Sequence, residues 1–221
     1  MTPSRLLLAL LLLPLAGCQT FFADRSTPQP ATERLQGEVR QVNGQLQLQS
    51  CQGQRTLNLL EGSSGLQDEA QALMTSDQDL LFADLRGTLS QTKPNGKGEL
   101  ALTRIYRLQR EGHGCNEENF KQLILRASGH EPGWMLTVTT RGMLLVRQGE
   151  SPIALPYLEE QLPGGQLSFT SEANEHRLDL WVAPQRCVDS ASGTVSHLSA
   201  ELRLDGQTWR GCAYYGGARD D

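Results

Sequence analysis

The segment Ser63–Ser76, SSGLQDEAQALMTS, decides the first half of the chain. Leu66, Ala70, Leu73 and Met74 recur at i, i+4, i+7 and i+8, which lines one face of an α-helix. Ser64 with Gln67 three residues on predicts a capping box, and Asp68 and Glu69 suit the positive end of the helix dipole. Glu61-Gly62-Ser63-Ser64-Gly65 reads as the loop leading into that helix.

On either side the period becomes two. GEVRQV (37–42), QLQLQS (45–50) and RTLNLL (55–60) precede the helix; LLFADLRGTLSQ (80–91) and GELALTRIYRLQ (98–109) follow it. In QLQLQS, Leu46 and Leu48 take one face and the glutamines the other, as a half-buried strand requires. Asn43-Gly44 is a two-residue hairpin signal, since both residues tolerate positive φ, and Pro94-Asn95-Gly96 predicts a second turn. Three strands, a helix and two strands is the OB-fold order, a five-stranded barrel with one helix. The stretches CQGQRTLNL, GLQDEAQAL and LLFADLRGTL resemble the C-terminal domain of the NlpE type of outer-membrane lipoprotein. That family has a cysteine after strand two and another after the last strand, which Cys51 and Cys115 match. The copper-handling cysteine motif of its other domain is absent, so copper is not expected. The resemblance implies an OB-like domain over residues 35–116.

Residues 117–221 are again β-rich. FKQLILRA, WMLTVT, GMLLVRQ, SPIALPY, GQLSFTSE, HRLDLWV, HLSAELRL and QTWRGCAYY predict eight antiparallel strands closing into a barrel-like domain, with a tight hairpin at Asp205-Gly206. Closure would remove exposed strand edges. The whole chain is thus expected to be mainly all-β. Gly129-His130-Glu131-Pro132-Gly133-Trp134, Asp189-Ser190-Ala191-Ser192-Gly193 and Gly211-Cys212-Ala213 resemble a family of bacterial envelope proteins. Its signature is Gly-Asn-Glu-Pro-Phe-Trp, then Asp-x-x-Ser-Gly and Gly-Cys-Ala. His130 and Gly133 depart from that pattern, and the resemblance implies no particular chemistry.

The N-terminus has a single early base, Arg5, a leucine-rich run from Leu6 to Leu15, and small residues before Cys18. This is a secretory signal layout over residues 1–17, and the run is too short to span a bilayer, which takes about 20 apolar residues. Leu15-Ala16-Gly17-Cys18 resembles the bacterial lipobox, which implies diacylglycerol on the Cys18 thiol and acylation of its freed amine. Gln19, where an Asp would favour the inner membrane, implies an outer-membrane anchor with the body facing the periplasm. Residues 18–34, with Pro28 and Pro30 among small polar residues, read as a flexible tether. Setting Cys18 aside turns five cysteines into an even four, Cys51, Cys115, Cys187 and Cys212. Three pairings are open in an oxidising compartment; 51 with 115 and 187 with 212 is favoured because each pair then lies inside one domain. No C-x-x-C or nearby His supports a metal site.

Twenty-five acidic residues against twenty basic ones, evenly spread, argue against nucleic acid as a partner, which calls for clustered Lys and Arg. There is no Gly-x-Ser-x-Gly elbow, no His-Glu-x-x-His pair and no phosphate loop, so neither an enzyme nor a cofactor is expected. The candidate ligand or partner residues are His130, Glu131, Trp134, Asp189, Ser192 and Gly193. His130-Glu131 would make an acid/base half-site if folding brought Asp189 or His197 alongside. The blander alternative is a Glu-Pro turn with Trp134 in the core and an Asp/Ser-capped turn at 189–193. Trp181, Trp209, Tyr214 and Tyr215 read as barrel walls. These features predict a non-catalytic envelope lipoprotein, held to the membrane by its anchor and binding a protein or small ligand in envelope maintenance or stress response. The second reading is a lysozyme inhibitor of the MliC type, whose Ser-Gly-x-x-Tyr loop Ser192-Gly193-Thr194-Val195-Ser196 resembles in Ser-Gly alone.

Overall fold

The computed structural model describes residues 32–219 apart from Gln54, Asp77 and residues 91–97. The signal segment, Cys18, the tether as far as residue 31 and the Pro94-Asn95-Gly96 turn lie outside the described residues. The chain is mainly β. Strands β1 (Thr32–Val42), β2 (Gln45–Ser50) and β3 (Thr56–Leu60) lead to helix α1 (Leu66–Leu73), followed by β4 (Leu81–Ser90) and β5 (Gly98–Gln109). Antiparallel pairs β1–β2, β2–β3, β4–β5 and β1–β4, with a parallel β3–β5 pair, close these five strands into a barrel. Asn43 and Gly44 make the tight β1–β2 turn with φ of 52° and 78°. Leu66, Ala70 and Leu73 of α1 are buried in the first core, as their spacing required. The capping box does not form. Gly65 is the N-cap in a left-handed conformation, and the Gln67 N–H donates to the Glu61 carboxylate at 2.9 Å, an acceptor reaching back from the preceding loop.

The rest of the chain supplies β6 (Leu123–His130), β7 (Gly133–Thr139), β8 (Gly142–Arg147), β9 (Ile153–Leu155), β10 (Leu158–Leu162), β11 (Gln166–Ala173), β12 (His176–Ala183), β13 (Cys187–Val188), β14 (Val195–Ser196), β15 (Leu198–Leu204) and β16 (Gln207–Tyr215). All eight strands read from the sequence are present, and β10 makes a ninth in the sheet β10-β11-β12-β15-β16-β6-β7-β8-β9. Sequence periodicity misses β10 because its residues, LEEQL, are exposed on both faces. The sheet curls into a half-barrel rather than closing fully: β9 and β10, separated only by Pro156 and Tyr157, stand at its two edges. Its concave side is filled by Leu125, Trp134, Leu136, Phe169, Leu180 and Leu202 among others, so the interior is a packed core.

The short hairpin β13–β14 belongs by sequence to the second sheet but by pairing to the first. Val195 and Ser196 pair with Leu108 and Arg107 at the end of β5. The two cores accordingly exchange residues: Val195 packs in the first and Tyr106 of β5 in the second. The last four residues of β5 are all buried, since this strand end is covered from both sides. Arg34 of β1 completes the junction. Its guanidinium pairs with both oxygens of the fully buried Asp84 at 2.8 Å, donates to the carbonyls of Tyr215 at 2.7 Å and Gly216 at 2.9 Å, and stacks 4.0 Å from the centre of the Tyr106 ring. Disulfides Cys51–Cys115 and Cys187–Cys212 are formed, as favoured from the sequence. The second fastens β13 to β16, so it also holds the borrowed hairpin to the half-barrel.

Candidate functional site

The β6–β7 hairpin turns on Glu131 and a cis Pro132, with His130 paired to Gly133. Alternation then sends Trp134 inward, where it is 3% exposed in the second core. Glu131 stays exposed at the tip, and His130 is left at the strand end, half exposed. The Asp189 turn is held by its own side chains. One Asp189 oxygen accepts from the Ala191 N–H at 3.1 Å, the Ser192 N–H at 2.8 Å and the Ser192 hydroxyl at 2.9 Å. Gly193 takes φ 73°, and a side chain there would meet Leu73 of α1 at 3.0 Å, so the turn is tucked against the first barrel.

The second Asp189 oxygen lies 2.8 Å from His130 Nε2. Burial alone would raise the Asp189 carboxyl. The Ser192 N–H and hydroxyl, the adjacent His130 and the Ala191 N–H together hold it below the usual carboxylate range. This pair stands at the rim of a cleft of about 220 Å³ between the barrels, shared by β5, β6, β14 and β16. Ser128, Ser192, Thr194 and Ser196 line it with hydroxyls. Gly211 of the Gly-Cys-Ala signature permits the β6–β16 approach beneath, since a Cβ there would fall 1.9 Å from the Ser128 carbonyl oxygen.

Opposite lies a buried ionic cluster that the sequence did not disclose. Glu117, on the connection between the barrels, accepts from Arg107 and Arg126 at 2.6 Å each and from the Tyr214 hydroxyl at 2.9 Å. The side chains of Arg107 and Glu117 are each 4% exposed. Arg107 also stacks 3.9 Å from the centre of the Tyr214 ring. Burial pushes the Tyr214 phenol up to about 12, so it stays protonated and able to donate. The Nε atoms of Arg107 and Arg126 are buried with no partner among the described residues.

Of the six candidates, His130, Asp189, Ser192 and Gly193 meet at or beside this cleft, whereas Glu131 and Trp134 do not line it. His197 does not join Asp189. It is wedged between the rings of Tyr106 and Tyr215, where burial pushes its imidazole down to about 4, and its Nδ1–H donates to the Tyr106 carbonyl at 2.9 Å. The order of contacts is Ser192, Asp189, His130: the carboxylate stands between hydroxyl and imidazole. A hydrolytic serine needs the imidazole next to its hydroxyl, so these contacts position a turn and leave Ser192 without a base. Among the described residues no group of three or more His, Cys, Asp or Glu side chains is placed to hold a metal. Trp181 is on the outer face of the half-barrel, 36% exposed, rather than in its wall. No protein-family model, no curated protein and no solved structure matches the chain.

Proposed function

We propose that the chain is a non-catalytic lipoprotein, anchored through Cys18 in the outer membrane and facing the periplasm, which binds a small polar ligand in the cleft between its barrels in envelope maintenance or stress response. One observation carries the reading. Three separated stretches that resemble the envelope-protein signature, around His130, around Asp189 and Ser192, and at Gly211-Cys212, converge on a single hydroxyl-lined cleft backed by two arginines. Clefts between domains with a few convergent polar groups are favoured ligand sites. The NlpE-like motifs and the lipobox support the envelope setting, and two disulfides suit an oxidising compartment. The lysozyme-inhibitor alternative needs the Ser192-Gly193 turn to project into another protein, but this turn is half-buried against α1.

The test is a thermal-shift panel of small carboxylates, phosphates and sugars on the mature chain, repeated with Ser128→Leu to fill the cleft. Ligands that raise the melting temperature of the parent and not of the variant support the reading. Equal shifts in both, or none in either, oppose it. Ester hydrolysis that disappears in Ser192→Ala would replace binding by catalysis, and inhibition of lysozyme on cell walls that weakens in the same variant would favour the alternative.

A further inference from the structure

The half-barrel is not sealed along its whole length, and a pocket of about 530 Å³ sits at the break, the size of an ordinary small-molecule site. β9 pairs with β8 alone, and β10 accompanies β11 only as far as Thr170, opposite Leu158. The last three residues of β11, Ser171, Glu172 and Ala173, therefore have β12 on one side and no strand on the other. The Asn174 side-chain amide crosses the break to donate to the Ala154 carbonyl at 3.0 Å. Alternation along β11 sends Leu167 and Phe169 into the second core, and Ser171 is next on that face. Ser171 lines the pocket and is 6% exposed, and its hydroxyl is buried with no hydrogen-bond partner among the described residues. Burying a hydroxyl unpaired is unfavourable, and folded proteins as a rule give such groups a partner. Its surroundings are apolar. Leu178 stands opposite it on β12, the Tyr157 ring packs 5.7 Å from that of Phe169, and Leu158 is largely exposed at the mouth. The ionic groups of the lining already have partners: Arg177 lies 3.3 Å from Glu172, and Asp179 accepts from the Ser168 hydroxyl at 3.1 Å.

We propose that this break is a second binding site, for an uncharged molecule with an apolar body and one acceptor oxygen, such as a ketone or ester. The oxygen accepts from the Ser171 hydroxyl, and the body lies against Tyr157, Leu158 and Leu178. The site belongs to the half-barrel alone, so it is separate from the polar cleft and goes beyond the function proposed there. An acceptor is required because the hydroxyl is a donor in apolar surroundings; a net charge is disfavoured because burying it without a counter-ion costs far more than burying a carbonyl.

Calorimetric titration of the mature chain with 2-octanone, octanoate and octylammonium tests this. 2-Octanone is expected to bind at least about fivefold more tightly than either ion. Ser171→Ala should weaken 2-octanone by about fivefold, the worth of one neutral hydrogen bond, and should leave the melting temperature of the free protein unchanged or higher, since it removes an unpaired buried group. Leu158→Ser, at a position too exposed to matter for folding, should weaken 2-octanone by about threefold or more while the melting temperature holds. Ser128→Leu, which fills the polar cleft, should leave 2-octanone unaffected and so separates the two sites. No binding of 2-octanone, or binding no tighter than that of the ions, would overturn the proposal. So would equal affinity in the parent, Ser171→Ala and Leu158→Ser, or a melting temperature lowered by Ser171→Ala, which would show the hydroxyl already satisfied.

Discussion

Replacing Arg34 by Met should destabilise the whole molecule far more than loss of a surface ion pair would. The guanidinium is the only cation bonded to Asp84 among the described residues, and Asp84 is fully buried with Arg34 only 10% exposed. After the substitution Asp84 keeps one neutral donor, the Gln36 amide at 3.0 Å. Leaving a buried carboxylate without its counter-ion costs about 3–5 kcal/mol. The carbonyls of Tyr215, Gly216 and Arg219 lose a donor as well, at ~1 kcal/mol for each that water does not reach. The first contribution therefore sets the floor. Against a total stability of roughly 5–15 kcal/mol it is a large share, and at about 2–4 °C per kcal/mol it lowers the melting temperature by about 6–20 °C. Calorimetry or urea unfolding measures this directly. Adding Asp84→Asn should recover at least half of the loss, since the stranded charge is then gone. A loss below ~1 kcal/mol for Arg34→Met, the size of an exposed pair, would refute the reasoning, as would a double variant no more stable than the single one.

His197 is held neutral in the folded chain at about 4 against an ordinary value of 6.5, so acid favours the unfolded form. Its contribution should be complete above pH 6.5 and lost progressively as pH falls to about 4, amounting to roughly 3 kcal/mol; urea unfolding across that window should lose this slope in His197→Gln. Replacing Cys187 and Cys212 together by Ser opens a loop with a sequence separation of 25, worth ~3.5 kcal/mol in the chain-entropy treatment, and denaturant midpoints with and without reductant would show it. Cys18→Ala should abolish incorporation of labelled palmitate and leave the chain unprocessed or soluble; continued labelling would remove the lipobox reading.

The strands and the helix were legible because each buries one face, and burial on one face writes a period of two or 3.6 into the sequence. Asn43-Gly44 and Asp205-Gly206 announced their turns for an equally local reason, the need for positive φ. What stayed hidden is what two distant segments make together. Leu158–Leu162 lacks a buried face and so lacks a pattern. Val195-Ser196 is too short to show a period, and its partner strand lies in the other barrel. Arg107, Glu117 and Arg126 occupy positions that read as ordinary solvent-facing polar residues, and Tyr214 reads as barrel wall, until the barrels meet and bury the four against one another. Asp189 and Ser192 were readable as a turn, but their junction with His130 depends on that same meeting.

The central claim is that the cleft between the barrels is a binding site. Amide chemical-shift mapping of the isotope-labelled mature chain, with the strongest ligand from the thermal-shift panel, tests it most directly. The account predicts saturable shifts concentrated at Arg107, residues 126–130, residues 189–196 and residues 212–214, and their disappearance in Ser128→Leu. Shifts that cluster away from these segments, or that persist unchanged in the filled-cleft variant, would contradict it.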